Sequence, residues 1–294
     1  MNIRDKSKLE EIGRHGTVLL ELEQNDLKRT ILANSASKAP LLIQRALYPN
    51  DSLPDMAHLY IMSTSGGILQ NDKYDINIVL KAGASAHITT QGATRVYGMV
   101  KGSASQNTSI RLDGESYLEY LPHQVIPYKN SRYSQQTCLQ IHDSATLVYS
   151  EALAAGRTRM GESFEYDSYN QSIECRTQDG RLRFLDIAKM RPQDAAPGRL
   201  GMLGGYSMIG TVYVVTPKQT ALRIADSVRE MNGNSAGDGD VEVGSSMTMN
   251  DSGVLVRVLG NGTEDVFRAI HGVFDVVRRA VLGVPFNVFT TGSI

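Results

Sequence analysis

Tyr74-Asp75-Ile76-Asn77-Ile78-Val79-Leu80 alternates apolar and polar side chains. Tyr74, Ile76, Ile78 and Leu80 fall on one side and Asp75 and Asn77 on the other, the period of a half-buried strand. The same period recurs outward from this stretch. Thr137, Leu139 and Ile141 alternate with Cys138, Gln140 and His142, and Phe164 and Tyr166 with Glu165 and Asp167. Val254, Val256 and Val258 form another row, and the runs 57–62, 85–90, 108–112, 145–150, 181–186 and 205–215 are rich in β-branched or aromatic residues. Strand signals separated by Gly, Asn, Asp and Pro therefore extend from about residue 15 to about residue 215. The 27 glycines and the absence of Trp suit many short strands joined by tight turns.

Two late segments carry helical spacing instead. Thr216 is a good N-cap, Pro217 suits the first helical position, and Gln219 completes a capping box. Ala221, Leu222, Ala225 and Val228 form the stripe, with Gly233 as the stop, which predicts a helix near 217–232. Val266, Phe267, Ile270, Val273, Phe274, Val277 and Val281 give a stronger stripe and predict a helix over 263–282. Glu264 and Asp265 in its first turn and Arg278 and Arg279 in its last match the helix dipole, and Gly283 and Pro285 end it. Asn232 to Asp240 reads as a loop, and Asp238 and Asp240 in it lack the spacing of a calcium loop. The expectation is a mainly β chain, one domain over 1–294, with two late α-helices. The number of strands exceeds what an ordinary sandwich buries, which opens a solenoid-like stack, although no fixed-period repeat shows in the letters.

The 294 residues suffice for a sizeable core. Lys plus Arg is 30 against 31 for Asp plus Glu, a balance unlike that of a general nucleic-acid binder. No apolar run approaches the ~18 residues of a membrane span, and MNIRDKSKLEEIGRHG has no apolar core of a secretory leader. Cys138 and Cys175 form no disulfide framework, so a cytoplasmic location is expected. Familiar catalytic motifs are missing. There is no Gly-Lys-Ser/Thr phosphate loop, GxGxxG, GxSxG, HExxH or CxxC. The six histidines are scattered, which argues against a locally built zinc site, and His271 reads as a solvated residue of the late helix.

Three segments stand out. The first holds Gly66-Gly67, Asp72, Gly83-Ala84 and Thr89-Thr90-Gln91, then Arg95 and Tyr97. The second is Leu121-Pro122-His123-Gln124-Val125-Ile126-Pro127-Tyr128. The third holds Glu151, Gly156-Arg157 and Gly161-Glu162. Each alone reads as turns, edges and surface ion pairs.

Taken in order, "GG…D…GA…TTQ…R-Y", "LP…IP…SR…Q" and "E…GR…GE.F" resemble the urease accessory protein family called UreD or UreH, clearly over about residues 60–170. Val256 to Gly260 and the "RR..LG.P" of the late helix are similar to the family's C-terminal part. The resemblance implies a β-helix-like stack with two helices and no catalysis. It implies a scaffold that helps insert nickel into apo-urease, with a helical UreF-like partner and a nickel-binding UreG-like GTPase in a hetero-oligomer. It also implies an internal water-filled passage for nickel and no permanently bound cofactor.

Asp72, Glu151 and Glu162 match the family's motif carboxylates and are the candidate transient nickel ligands. Such isolated carboxylates bind and let go, as a closed imidazole or thiolate cage would not. Gly66, Gly67, Gly83, Thr89, Thr90, Gln91, Gly156, Arg157 and Gly161 are structural motif residues under the same resemblance. Arg157 and Arg95 are expected to pair with carboxylates and fix loops, and Cys138 to be a packed or inert thiol. Asn71 stands where the family usually has Gly, Tyr120 where it has Trp, and Pro285-Phe286-Asn287-Val288-Phe289 where it closes with Pro-Arg-x-Trp. Two other readings compete: a β-helical carbohydrate-active enzyme using paired carboxylates, and an interaction module without metal transfer.

Overall fold

Rows of stacked side chains, rather than successive hairpins, organise the chain. In the computed structural model the described residues are 13–195, 197, 203–234, 241–248 and 253–286. The strands are β1 (His15–Gln24), β2 (Thr30–Lys38), β3 (Leu41–Ile43), β4 (Ala57–Ser63), β5 (Lys73–Leu80), β6 (Ser85–Thr90), β7 (Thr94–Val96), β8 (Ala104–Leu112) and β9 (Tyr117–Leu121). They continue as β10 (Val125–Pro127), β11 (Arg132–Ile141), β12 (Thr146–Ala154), β13 (Ser168–Thr177), β14 (Leu182–Met190) and β15 (Met208–Val215). Helix α1 (Lys218–Asn234) follows, then β16 (Val241–Met247), β17 (Gly253–Gly260) and helix α2 (Thr263–Leu282).

Two sheets face each other. The seven-stranded sheet runs β14-β13-β11-β8-β5-β1-β2, and the ten-stranded sheet runs β16-β17-β15-β12-β9-β6-β4-β3, with β7 and β10 at its side. From β4 to β13 the chain alternates between them, and successive visits pair in parallel. This is a β-solenoid. Antiparallel strands finish it at both ends: β2 on β1, β3 on β4, β14 on β13, and β15 on β12.

The parallel register stacks like on like. Leu20, Ile78, Ile110, Leu139 and Cys175 share one row, and Leu22, Leu80, Leu112 and Ile141 the next. These rows are buried against Leu59, Ile88, Leu118, Leu147 and Val215 of the facing sheet. The other face of the ten-stranded sheet carries the helices. Val148, Val212, Val214, Val254, Val256 and Val258 pack under Val266, Phe267, Ile270, Val273, Phe274 and Val277 of α2. Gly210 lets α2 approach, since a Cβ there would lie 2.8 Å from Ile270 Cδ1. Among the described residues no helix is long and apolar enough to cross a membrane.

Several local expectations are corrected. Residues 164–167 form no strand, because Phe164 adopts φ 56° and the extended chain starts only at Ser168. The Thr216 hydroxyl pairs with that of Thr146 (2.8 Å) instead of capping, and α1 starts at Lys218 and runs past Gly233. Leu222 is exposed, and Ile224 takes its place in the buried stripe. Arg279 sits in the last turn of α2 as expected, but Arg278 is fully buried. Cys138 is exposed and Cys175 is the packed thiol. The expected loop at 235–240, with Asp238 and Asp240, and residues 287–289 lie outside the described residues.

Candidate functional site

The motif segments, distant in sequence, stack beside one another. Ile68 bridges Val96 in parallel, β7 pairs β10 (Arg95 beside Ile126), and Val125 pairs Leu153. Gly67 has no room for a side chain, since a Cβ would lie 2.5 Å from the Arg95 carbonyl oxygen. Thr89 Oγ1 donates to Leu121 O (2.5 Å), and Thr90 Oγ1 accepts the His123 N–H (2.9 Å). The exposed Gln91 sits with Thr90 on the lip of an interior cavity. Gly83, Gly156 and Gly161 take positive φ at turns.

Two of the three candidate carboxylates hold these loops. Asp72 is buried and accepts the backbone N–H groups of Arg14 (2.8 Å) and Leu69 (2.9 Å). Glu162 accepts from Arg157 Nε (2.8 Å) and from the Lys129 N–H (3.3 Å), while the Arg157 guanidinium lies 4.2 Å from the Tyr128 ring centre. Neither lines the cavity. Arg95 does, at the exposed rim, and forms no ion pair among the described residues, contrary to expectation.

The cavity encloses about 360 Å³ between the two sheets. Its rim includes Ser63, Gly66, Gln91, Gly92, Arg95 and His123, all exposed, and its floor holds Tyr120, Tyr133, Tyr149, Tyr169, Gln135 and Glu151, all buried. Glu151 is the one acidic residue in the lining. It comes from the apolar run of β12 and points inward. Gln135 Nε2 donates to it at 2.8 Å, and Tyr149 OH and Gln171 Nε2 donate as well. Gln135 and Gln171 belong to a polar row, Tyr74, Gln106, Gln135 and Gln171, that crosses the inner face of the seven-stranded sheet. Burial pushes the Glu151 carboxyl up to about 7, against the donors from Tyr149 and Gln135, and Asp186 adds to the rise. Gln135 Oε1 is buried with no hydrogen-bond partner among the described residues. A carboxylate, an amide oxygen and tyrosine hydroxyls offer a hard, oxygen-rich setting for a cation.

A second buried polar group lies on the opposite face of the same sheet, under α2. Arg278 Nε and Nη2 grip Glu119 Oε1 and Oε2 (2.8 and 2.5 Å), His87 Nδ1 is 2.8 Å from Oε2, and Tyr117 OH donates to Oε1 (2.7 Å). Burial alone would raise the Glu119 carboxyl, but the hydrogen bonds from His87 and Arg278 prevail and hold it at about 2. His58 stacks on His87 at 5.1 Å, and His271 packs between Phe267 and Phe286. Burial lowers His58 to about 3 and His271 to about 4, so His271 is not the solvated residue expected. Among the described residues no three His, Cys, Asp or Glu side chains stand close enough to hold a metal ion permanently.

The sequence held a signal for two of the missed residues. Glu119 interrupts the apolar run Tyr117 to Leu121, and Arg278 falls four residues after Phe274 on the buried stripe of α2. Gln135 and Gln171 gave none, because only the stacking register puts them beside Glu151.

These features define a class: a two-sheet β-solenoid with a helical layer on one sheet and an interior polar cavity that opens at its motif loops. A model of the family described as UreD urease accessory protein matches residues 14–290, and the chain belongs to that family. It is 42% identical over 277 residues to urease accessory protein UreD of Cenarchaeum symbiosum, covering 94% of this chain and 96% of the relative. It is 37% identical to urease accessory protein UreD 2 of Brucella suis, covering 92% and 89%. To urease accessory protein UreD of Photorhabdus laumondii it is 32% identical, covering 93% and 85%.

Proposed function

We propose that this chain is a non-catalytic accessory scaffold in urease maturation, and that its cavity holds nickel in transit to apo-urease. It works in the cytoplasm within a hetero-oligomer that includes a UreF-like helical protein and a UreG-like GTPase. The observation that carries the reading is Glu151, an inward carboxylate in a Tyr- and Gln-lined cavity beside the unsatisfied Gln135 Oε1. A divalent cation bound there has one carboxylate, charged once its proton is displaced, and neutral oxygen donors, enough to offset part of its dehydration and too few to trap it. Binding displaces the proton that burial favours on Glu151, so uptake and release are linked to proton exchange. Asp72 and Glu162 serve by shaping the loops at the cavity. Paired-acid glycan cleavage is less well supported, because the lining provides one carboxylate where that chemistry uses two.

The test measures urease activation at limiting nickel, with co-elution of the partners as control. Glu151→Gln is expected to lower activation about tenfold, the loss that follows from ~1.4 kcal/mol of lost cation affinity, while the complex still assembles. Asp72→Ala and Glu162→Ala are expected to lower activation only in proportion to lost complex. Normal activation by Glu151→Gln within a normal complex overturns the reading.

A further inference from the structure

Three glutamines lie side by side on the inner face of the seven-stranded sheet. Gln106, Gln135 and Gln171 pair in register on β8, β11 and β13. A tyrosine hydroxyl caps each outer one: Tyr133 OH donates to Gln106 Oε1 and Tyr169 OH to Gln171 Oε1, both at 3.3 Å. The middle one has no such cap. Gln135 is 6% exposed and lines the cavity, and its Oε1 has no hydrogen-bond donor among the described residues. A buried amide oxygen without a donor is costly, so this one suits an N–H brought by a group that enters. Glu151 stands beside it. Its Oε1 accepts from Gln135 Nε2 and Tyr149 OH, whereas its Oε2 accepts from Gln171 Nε2 alone and keeps a lone pair. The hydrogen bond from Gln135 Nε2 to Glu151 (2.8 Å) holds the two open acceptors next to each other.

The floor adds rings. Tyr120, Tyr133, Tyr149 and Tyr169 line it, with Tyr120 and Tyr149 stacked at 5.4 Å and Tyr133 and Tyr169 tilted at 6.2 Å. Aromatic walls around a carboxylate favour an organic cation. Elsewhere the chain makes such contacts within itself: Arg29 lies 3.6 Å from the Tyr48 ring centre and Arg157 4.2 Å from that of Tyr128. A quaternary ammonium would leave Gln135 Oε1 without a donor. A guanidinium presents parallel N–H groups along an edge and a flat face to a ring. The cavity of about 360 Å³ admits such a group through its rim, where Arg95 is exposed and its repulsion is screened.

We propose that the cavity is also a guanidinium site, in which one N–H edge bridges Glu151 Oε2 and Gln135 Oε1 while tyrosine rings flank the plane. The inference goes beyond the transit reading and does not depend on it. The guanidinium belongs either to a small free molecule or to an arginine side chain that a partner protein inserts at the rim. Its occupancy excludes the nickel proposed above, since both use Glu151.

Titration of the full chain with methylguanidinium at constant ionic strength tests this. The chain has no Trp, so its intrinsic emission reports the tyrosines. Saturable binding with a dissociation constant of about 1 mM or below is expected. Tetramethylammonium, a cation without N–H groups, is expected to bind the wild-type chain at least tenfold more weakly. Glu151→Gln and Gln135→Met are each expected to weaken methylguanidinium binding at least tenfold with far-UV circular dichroism unchanged. Equal affinity for the two cations overturns the proposal, as does full affinity in folded Gln135→Met or the absence of saturable binding to both methylguanidinium and Nα-acetyl-arginine methylamide. The blocked arginine also separates the sources. Binding at least as tight as that of methylguanidinium supports the site and assigns it to a partner's arginine; binding at least tenfold weaker supports the site and assigns it to a free molecule. A wild-type chain that binds methylguanidinium but not Ni²⁺ overturns the transit reading and leaves the guanidinium site standing, and the reverse pattern overturns the guanidinium site alone.

Discussion

Glu119 and Glu151 are both buried glutamates on inner strands of one sheet, and their surroundings drive them in opposite directions. Glu119 has Arg278 on both oxygens and is held at about 2, while Glu151 has only neutral donors and sits at about 7. The linkage follows in each case. A carboxyl lowered on folding stabilises the protein above its unfolded value near 4.5, and that contribution is lost as pH falls towards 2. A carboxyl raised on folding has no such benefit at neutral pH, and its ionisation weakens the fold as pH rises from 4.5 through 7. Urea denaturation at pH 8 is therefore expected to show Arg278→Met destabilised by about 3–5 kcal/mol, because it leaves the buried Glu119 carboxylate without its guanidinium partner. Glu151→Gln is expected to be more stable than wild type by about 1–3 kcal/mol at pH 8 and to gain nothing at pH 4.5. A Glu151→Gln protein less stable than wild type at pH 8 would contradict this account of the cavity. A charge kept where it weakens the fold accords with the transit role proposed for Glu151. The sequence showed Glu151 as a match to a family motif, but the difference between the two glutamates came from partners more than 100 residues away in one case, Arg278 on Glu119, and in the other from a stacking register that no local pattern encodes.

At the scale of the elements, strand identity was legible and strand pairing was not. Alternation in β5, β11 and β17 follows from one buried face per strand, so it is written locally. Which strands stack depends on turn lengths that vary from coil to coil, and that variation hides the repeat from a search at fixed period. The two helices were legible because their apolar stripes face a sheet; the bounds of α2 fall where the stripe puts them, while α1 runs from 218 to 234 instead of 217 to 232, with Thr216 held by Thr146. The docking of α2 on β15 turns on Gly210, where a Cβ would meet Ile270 at 2.8 Å and Val266 at 3.1 Å. Gly210→Val should push the helix outward and cost about 1–3 kcal/mol by overpacking. Gly244→Val, on β16 with open space around its Cα, should cost nothing measurable and provides the control. Hydrogen exchange would show faster opening of the 263–282 amides in the first variant alone; equal protection in both would mean that close approach at Gly210 does not set the position of α2.

At the scale of the whole molecule, one sheet separates two jobs. Tyr120 points inward to the cavity while its neighbour Glu119 points outward under α2, and Tyr149 and Val148 divide in the same way. The helical layer is therefore one sheet's thickness from the cavity, and how firmly it is attached follows from what it buries. Each large apolar side chain buried there contributes about 1.5–3 kcal/mol, and six such residues of α2 face the sheet. Their sum is of the order of 10 kcal/mol, comparable with the ~5–15 kcal/mol net stability of an ordinary domain. A chain ending at Gly262 should thus fail as a whole, not merely lose a decoration. The uncovered valines of β15 and β17 form a contiguous apolar face, which in water drives association. The expected outcome is aggregation on purification, or a soluble fraction that binds a hydrophobic dye strongly and melts without a cooperative transition. A monomeric, cooperatively folding product with the full-length strand signal in circular dichroism would show instead that the solenoid's interior rows suffice alone, and that α2 is an appendage.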